Sequence, residues 1–175
     1  MIIGLAPGAH GANRTGRIFT GDSSGDWLYG SLHRAGLATI PTSTSIKDGQ
    51  ELIDTRIACA VRCAPPDNKP SIDERDTCAP FLTHAIKPAS STTRAYVALG
   101  SFAWNVLIKS LRELGHTIPT TKFAHGVKLT FNERDRKITL IGSYHPSQQN
   151  TFTGKLTKPM LDKVFKQAAK AAGIG

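Results

Sequence analysis

Cysteine is the residue type in this chain whose spacing first invites a chemical interpretation. Cys63 and Cys78 lie fifteen positions apart at the two ends of CAPPDNKPSIDERDTC, and Cys59 is the only other cysteine. The pair could form a disulfide, pack as small apolar groups or bind a metal, although two thiolates alone seldom make a metal site. Cys59 lies inside an apolar run, so we interpret it as part of the core.

Two motifs that would identify a nucleotide enzyme are incomplete. Residues 11–16 have the spacing of the start of a phosphate-binding loop, but the next two positions hold Arg17 and Ile18 where the motif needs Lys and then Ser or Thr. A zinc deaminase would need His-x-Glu and a Pro-Cys-x-x-Cys, and neither occurs. A nucleotide-binding regulatory domain therefore stays only as a distant alternative.

Charge and composition favour a nucleic-acid partner. The 175 residues carry a net charge of +9, with a pI of about 9.8. This excess favours a polyanion, and nucleic acid before a membrane surface, because no basic amphipathic stretch stands alone. No signal peptide or membrane-length apolar run is evident, so we expect a cytoplasmic, nucleoid-associated monomer with a single domain over 1–175.

Apolar runs alternate with helical patterns along the chain. Strands are predicted at 1–7, 55–63 and 94–100, and a hairpin at 127–131 and 138–144. Helices are predicted after a cap at Ser24, over 71–87 behind a Ser71–Glu74 capping box, after Gly100, and from about Thr157. This order predicts an α/β three-layer sandwich with a mostly parallel central sheet. Ligands bind beyond the carboxyl ends of such strands, where three polar segments (7–25, 63–70 and 143–156) should converge.

Those three polar segments carry a family resemblance. GLAPGAHGANRTGRIFTGD, AVRCAPPDNKP and SYHPSQQNTFTGKLT resemble the signature segments of the family 5, or B-type, uracil-DNA glycosylases, and VALG and FAHG resemble minor signatures. The matches occur in order between about residues 3 and 160. The resemblance implies a four-stranded, mostly parallel sheet between helices.

The resemblance also implies an activity and its partners. The expected enzyme is a monofunctional glycosylase that hydrolyses the N-glycosidic bond of uracil, and of other deaminated bases, in DNA. It would leave an abasic site as the first step of base-excision repair and hand that site to downstream repair enzymes. The alternative is a non-catalytic nucleic-acid-binding protein of the same fold.

Five residues match the family's catalytic and uracil-binding positions. Asp22 matches the acid proposed to position or activate water, with a helix N-cap as its structural alternative. His145 matches the histidine that hydrogen-bonds uracil O2 and steadies the leaving anion. Phe19 matches the aromatic residue that stacks on the flipped base, with a loop anchor packed on the core as its structural alternative. Asn68 matches a polar group at the base edge, with a turn residue as its alternative, and Gly8 matches a further uracil contact.

The DNA contacts implied by the resemblance lie in the same three segments. Gln148, Gln149 and Asn150 are expected to meet base edges in the minor groove. Phosphates would be contacted by hydroxyl or backbone groups at Ser143, Ser147 and Thr151, and by the cations Arg14, Arg17, Lys69 and Lys155.

A [4Fe-4S] cluster is the cofactor that the resemblance implies. Cys63 and Cys78 match two of its four cysteine ligands, and in the family the other two lie upstream of the first strand. Met1 falls inside a predicted strand, so we expect the recorded start to be late and the N-terminal cysteine-bearing segment to be absent. The alternative is a member without the cluster; in either case this chain alone should not hold an intact one.

Overall fold

A five-stranded sheet forms the middle layer of the structure, a computed structural model that describes residues 1–174. Its strands are β1 (Ile2–Gly4), β2 (Ile57–Cys59), β3 (Ala95–Leu99), β4 (Lys128–Glu133) and β5 (Arg136–Ser143). They lie in the order β2-β1-β3-β5-β4; the first four are parallel, and β4 pairs antiparallel with β5. The predicted mostly parallel sheet is confirmed, with five strands rather than four, because the predicted hairpin adds β4 as an antiparallel edge strand.

Helices cover both faces of this sheet. They are α1 (Ala12–Thr15), α2 (Ser23–Arg34), α3 (Ile72–Ala89), α4 (Ser101–Glu113), α5 (Gln148–Phe152) and α6 (Lys158–Ala172), with a short 3-10 helix at Pro66–Asn68. Successive strand residues point to opposite faces, which divides the core in two. Ile2 and Val97 pack with α2 and α6, whereas Ile3 and Tyr96 pack with α3 and α4. The three-layer prediction is confirmed.

Helix caps explain where two of these helices begin. The Ser71–Glu74 capping box is confirmed: the Ser71 hydroxyl accepts the Glu74 N–H at 3.1 Å, and the Glu74 carboxylate accepts the Ser71 N–H at 2.7 Å. The prediction that Ser24 caps α2 is wrong. Asp22 is the N-cap, because its Oδ1 accepts the Gly25 N–H at 2.8 Å. Among residues 1–174, every helix is too short or too polar to cross a bilayer.

Candidate active site

The parallel strands bring the polar segments to one edge of the sheet, hereafter the carboxyl edge. Gly4 at the end of β1 pairs with Cys59 at the end of β2, and Leu99 at the end of β3 pairs with Ser143 at the end of β5. The Gly100 N–H donates to the Ser143 carbonyl at 2.7 Å and holds the last two ends together. The segments that follow β1, β2 and β5 therefore leave from the same edge.

Asp22 uses its two carboxylate oxygens differently. Oδ1 caps α2, so the structural alternative considered for this residue is correct as far as that oxygen goes. Oδ2 faces the turn formed by residues 8–11, in which the Gly8 carbonyl accepts the N–H groups of Gly11 and Asn13. A carboxylate held by one oxygen and turned into a loop with the other can both fix a helix and bind a further group.

Two glycines that sequence reasoning left without a role make this arrangement of Asp22 possible. A Cβ on Gly11 would lie 2.1 Å from Oδ2 of Asp22, and a Cβ on Gly25 would lie 2.1 Å from the Phe19 carbonyl oxygen. Real atoms do not approach so closely, so a side chain at either position would displace its neighbour. The signal was present in the sequence as the spacing of glycines around Asp22.

Phe19 and His145 lie side by side. Their ring centroids are 5.7 Å apart and their planes are inclined by 35°, although the residues come from segments at opposite ends of the chain. Phe19 is only 7% exposed and has a φ of +56°, a conformation that is uncommon for a residue other than glycine. The surrounding packing holds the Phe19 ring against the histidine in spite of that cost.

The imidazole of His145 is neutral near physiological pH. Burial lowers its pKa to about 4 from the usual 6.5, because the charged form would lose solvation. A neutral imidazole carries one N–H donor and one acceptor, so it can hydrogen-bond an oxygen that gains negative charge without first being an acid.

A second histidine, His125, holds the backbone next to His145 in place. Its Nδ1 accepts the Tyr144 N–H at 3.2 Å, and its ring lies 5.2 Å from the Tyr144 ring. Burial lowers the pKa of His125, in keeping with an imidazole that accepts a hydrogen bond. The FAHG segment reaches this position because the Gly126 N–H donates to the Gly142 carbonyl at 2.8 Å. Sequence reasoning noted FAHG but gave His125 no role.

Asn68 ends the short 3-10 helix after β2. It is exposed. Asn68 and the preceding Asp67 both have left-handed backbone conformations, with φ of +55° for Asn68 and +50° for Asp67. Asn and Asp tolerate this conformation better than other residues, which fits the turn role considered for Asn68. The exposed amide is still free to extend from the carboxyl edge.

Three of the expected DNA contacts make internal bonds in the structure. The Arg17 guanidinium pairs with Asp48 at 2.7 Å and also bonds Ser43 and Thr20. Ser143 is fully buried, and its hydroxyl donates to the Tyr144 carbonyl at 3.0 Å. The Asn150 amide donates to the His145 carbonyl at 2.8 Å. Their polar groups are engaged within the loops, which argues against contact with DNA.

The other expected DNA contacts lie at the surface. The exposed ones are Arg14, Lys69, Gln148, Gln149 and Lys155, and Ser147 and Thr151 are half-buried. Arg14 donates from Nε to the His10 carbonyl at 2.9 Å, which ties its stem to the first loop. The Lys155 ammonium lies 4.8 Å from the centre of the Tyr144 ring, directly beside the His145 segment. These cations are available to an anionic ligand.

Comparison with known proteins identifies the family. The sequence model described as "Uracil DNA glycosylase superfamily" matches residues 1–169. This chain belongs to the uracil DNA glycosylase superfamily. The resemblance inferred from the three loop segments is thereby confirmed, and it agrees with the mostly parallel sheet between helices described above.

Relatives place the chain more closely within the superfamily. It is 52% identical over 174 residues to the type-5 uracil-DNA glycosylase of Mycobacterium bovis. That alignment covers 99% of this chain and 63% of the Mycobacterium bovis protein. It is 43% identical over 176 residues to the type-5 uracil-DNA glycosylase of Thermus thermophilus, covering 99% and 76% respectively. It is 42% identical over 173 residues to the type-5 uracil-DNA glycosylase of Pyrobaculum aerophilum, and the alignment covers 99% of this chain and 72% of that protein. The chain thus spans less than two thirds of the mycobacterial relative.

The three cysteines do not make up the four-cysteine site that the family resemblance implies. The backbone nitrogen of Arg62 lies 3.5 Å from the sulfur of Cys78. Buried Cys78 is therefore next to the residue that precedes exposed Cys63. Cys59 is a poor ligand, because burial raises the pKa of its thiol to about 12 and keeps it protonated. Within residues 1–174, no group of three or more His, Cys, Asp or Glu side chains could hold a metal ion. Two sulfurs do not satisfy a cluster that needs four ligands.

Proposed function

We propose that this chain is a monofunctional DNA glycosylase that hydrolyses the N-glycosidic bond of uracil, and of other deaminated bases, and leaves an abasic site. The observation that carries the proposal is the presence of two groups on the loops that leave the carboxyl edge. One is a carboxylate with a free oxygen, Asp22, and the other is a neutral imidazole, His145, beside an aromatic ring. These are the groups that a hydrolysis with an anionic leaving group requires.

The base must leave the helix before this chemistry can occur. A glycosidic bond inside stacked DNA is out of reach, so the nucleotide rotates out of the stack and enters a pocket. Phe19 and His145 would form one wall of that pocket. Gly8 leaves the neighbouring turn without a side chain, and the amide of Asn68 would pair with the donor and acceptor atoms on the edge of the pyrimidine.

The two polar side chains then act on opposite sides of the bond that breaks. The bond between sugar C1′ and base N1 breaks, its electron pair leaves with uracil, and His145 donates a hydrogen bond to O2 as that oxygen becomes negative. The sugar gains oxocarbenium character, which the Asp22 carboxylate stabilises electrostatically. A water held by Oδ2 adds its oxygen to C1′, its proton passes to the carboxylate, and the uracil anion takes up a proton after release.

Binding to the DNA backbone would be electrostatic. Arg14, Lys69 and Lys155 remain exposed on the loops of the carboxyl edge, and the chain has a net charge of +9. Contacts of this kind add affinity that depends on the salt concentration and only weakly on the DNA sequence. We therefore expect weak sequence preference, and a place alongside chromosomal DNA and the enzymes that process abasic sites.

The cluster of the family forms a separate part of the proposal. Cys63 and Cys78 would provide two of four ligands only where other polypeptide provides the remaining two. The hydrolysis proposed for Asp22 and His145 uses neither cysteine in a chemical step.

Excision from a defined oligonucleotide tests the function. The chain is incubated with an end-labelled duplex that carries one uracil opposite guanine, and alkali then cuts the strand at abasic sites. We expect breaks at uracil, and their loss in Asp22→Asn and His145→Gln. Exposed residues serve as matched controls: Asp26→Asn in the first turn of the same helix and His33→Gln near its end should excise normally. Retention of DNA without any breaks would instead favour the non-catalytic binder.

A further inference from the structure

Positive charge is concentrated in the last third of the chain, mostly outside the loops of the candidate active site. Residues 121–175 hold ten of the 22 Lys and Arg residues but only three of the 13 Asp and Glu residues. Residues 1–120 are nearly balanced, with twelve cations and ten carboxylates. Of the ten cations in 121–175, only Lys155 falls in the segment 143–156 that follows β5. Most of the excess charge therefore lies outside that loop.

Helix α6 carries one row of these cations. Its inner side is buried in the core, and the exposed lysines of its outer side are Lys163, Lys166 and Lys170. Spacings of three and four residues place them along one side of the helix, over about 10 Å. The carboxylate of this helix, Asp162, is paired with Arg34 of α2 at 2.8 Å. Like charges at such spacings repel each other, so a bound polyanion would stabilise the row.

Two lysines of the β4–β5 hairpin lie on the same side of the sheet as α6. Leu129 and Phe131 pack with the α3–α4 half of the core, so the alternate residues of β4, which include exposed Lys128, point to the α6 side. Exposed Lys137 pairs with Asn132 of β4 and points to that side as well, since cross-strand partners share a face. Because α6 packs on β5 and β4 is the next strand, these groups form one surface. This surface, hereafter the lysine face, comprises Lys128, Lys137, Lys163, Lys166 and Lys170.

The lysine face runs away from the carboxyl edge, along the side of the molecule. β4 is antiparallel to β5 and leads from Lys128, beside the carboxyl edge, to the opposite edge of the sheet. Helix α6 takes the same course, because its last turn lines a cavity at that opposite edge together with Met1 and Ala95. Each of the two elements is about 20 Å long. A duplex whose flipped nucleotide enters the candidate active site would therefore leave much of the lysine face uncovered.

The composition of the lysine face favours nucleic acid over a membrane or another protein. Thr130 and Asn132 are exposed beside the lysines of β4, and Gln167 lies among those of α6, so neutral donors for phosphate oxygens are present as well. None of the exposed large hydrophobic residues among residues 1–174 belongs to β4, β5 or α6. The face therefore offers no apolar group that would enter lipid or form the dry centre of a protein interface. Lysines with neutral donors suit the phosphate backbone of DNA.

We propose that the lysine face is a second DNA-binding surface, which holds undamaged duplex by its phosphates while the carboxyl edge engages another segment of DNA. A protein that holds two segments at once can pass from one to the other without first dissociating into solution. The inference goes beyond the proposed function, because it requires binding to DNA but no cleavage of a glycosidic bond.

Binding of an undamaged duplex at several salt concentrations tests the surface. One variant replaces the α6 row by glutamine, which favours a helix about as well as lysine does: Lys163→Gln, Lys166→Gln and Lys170→Gln. A control variant removes the same charge from exposed residues of other elements: Lys87→Gln, Arg94→Gln and Lys109→Gln. The slope of log K against log salt should be lower by about two to three in the α6 variant and by less than about one in the control.

The hairpin provides an independent variant of the same surface. Lys128→Gln combined with Lys137→Gln should lower the slope by about one to two, since two phosphate contacts are lost. All variants should keep the Tm of the wild type, because substitutions of exposed side chains change stability little. A slope of the α6 variant equal to that of the wild type or of the control would overturn the proposal.

Transfer between DNA segments distinguishes a second surface from a longer contact with one segment. The chain is bound to a fluorescent undamaged duplex, and its dissociation rate is measured against rising concentrations of the same duplex without label. The rate should rise with competitor for the wild type and the control variant, because the competitor occupies the lysine face before the first duplex leaves. It should stay constant for the α6 variant. A wild-type rate that does not depend on competitor would overturn the proposal, whether or not the chain excises uracil.

Discussion

Substitutions of Asp22 can separate its role as a helix cap from its proposed role in catalysis. Its Oδ1 caps α2 through the Gly25 N–H, and its Oδ2 faces the Gly8–Gly11 turn. Asn is as good an N-cap as Asp, so Asp22→Asn keeps the cap and removes the negative charge, whereas Asp22→Ala removes both. Gly11→Ala leaves the carboxylate in the sequence but places a methyl group where Oδ2 lies.

The two roles differ in expected size. Losing the cap costs about 1 kcal/mol, which lowers the Tm of a domain of this length by about 2–4 °C. Losing the group that positions water should slow excision by about 10²- to 10⁴-fold, or about 3–5 kcal/mol in the barrier. One kcal/mol leaves a protein of ordinary stability folded at 25 °C, so lost stability cannot mimic lost catalysis.

Thermal unfolding and single-turnover excision of the same preparations measure both quantities. Asp22→Asn should keep a Tm within about 1 °C of the wild type and lose activity, since amide and carboxylate caps are nearly equivalent. Asp22→Ala should lose both, and Gly11→Ala should lose activity because its Cβ displaces Oδ2. An Asp22→Asn enzyme with most of its excision rate would refute the catalytic role and leave Asp22 as a helix cap alone.

Four further results are expected. The pKa of His145 is about 4 in the folded chain and 6.5 in the unfolded chain, so the unfolded state takes up a proton first as the pH falls. The free energy of unfolding should therefore decrease between pH 6.5 and pH 4, by about 2–3 kcal/mol at pH 4.5. In measurements of Tm against pH, His145→Gln should flatten this slope. Arg17→Ala should lower the Tm but keep the salt slope of DNA binding, whereas Lys155→Ala should reduce that slope by about one; a reversed pattern would return Arg17 to the DNA surface. His125→Ala should destabilise the fold by about 1–3 kcal/mol, because the Tyr144 N–H loses its acceptor, and an unchanged Tm would refute that contact. Of the three thiols, exposed Cys63 should react first with a thiol reagent, which peptide mapping would check.

Local patterns were enough to predict the framework of the fold. Alternating apolar runs predicted the parallel strands, and the Ser71–Glu74 spacing predicted the start of α3, because both depend on neighbours in sequence. The cap of α2 was assigned wrongly to Ser24, because Asp22, Ser23 and Ser24 are all good caps and only the backbone path selects among them.

Contacts between distant segments could not be predicted in the same way. The sequence marks Arg17 as a cation in a polar loop, but its pairing with Asp48 depends on how residues 39–53 fold back over that loop. The bond from Tyr144 to His125 likewise joins two strand ends through the hairpin. Asp22, Phe19 and His145 were identified from the family resemblance. His145 lies more than 120 positions from the other two, so no local pattern in the sequence connects it with them.

The most direct test of the central claim is to identify the products released from a uracil-containing duplex. Mass spectrometry of the reaction should find free uracil and an otherwise intact strand with an abasic site, from the wild-type chain but from neither Asp22→Asn nor His145→Gln. Matched duplexes with cytosine or thymine at that position should be unchanged. A duplex recovered intact after it has been bound would contradict the account, because it would show a carboxyl edge that holds DNA without breaking the glycosidic bond.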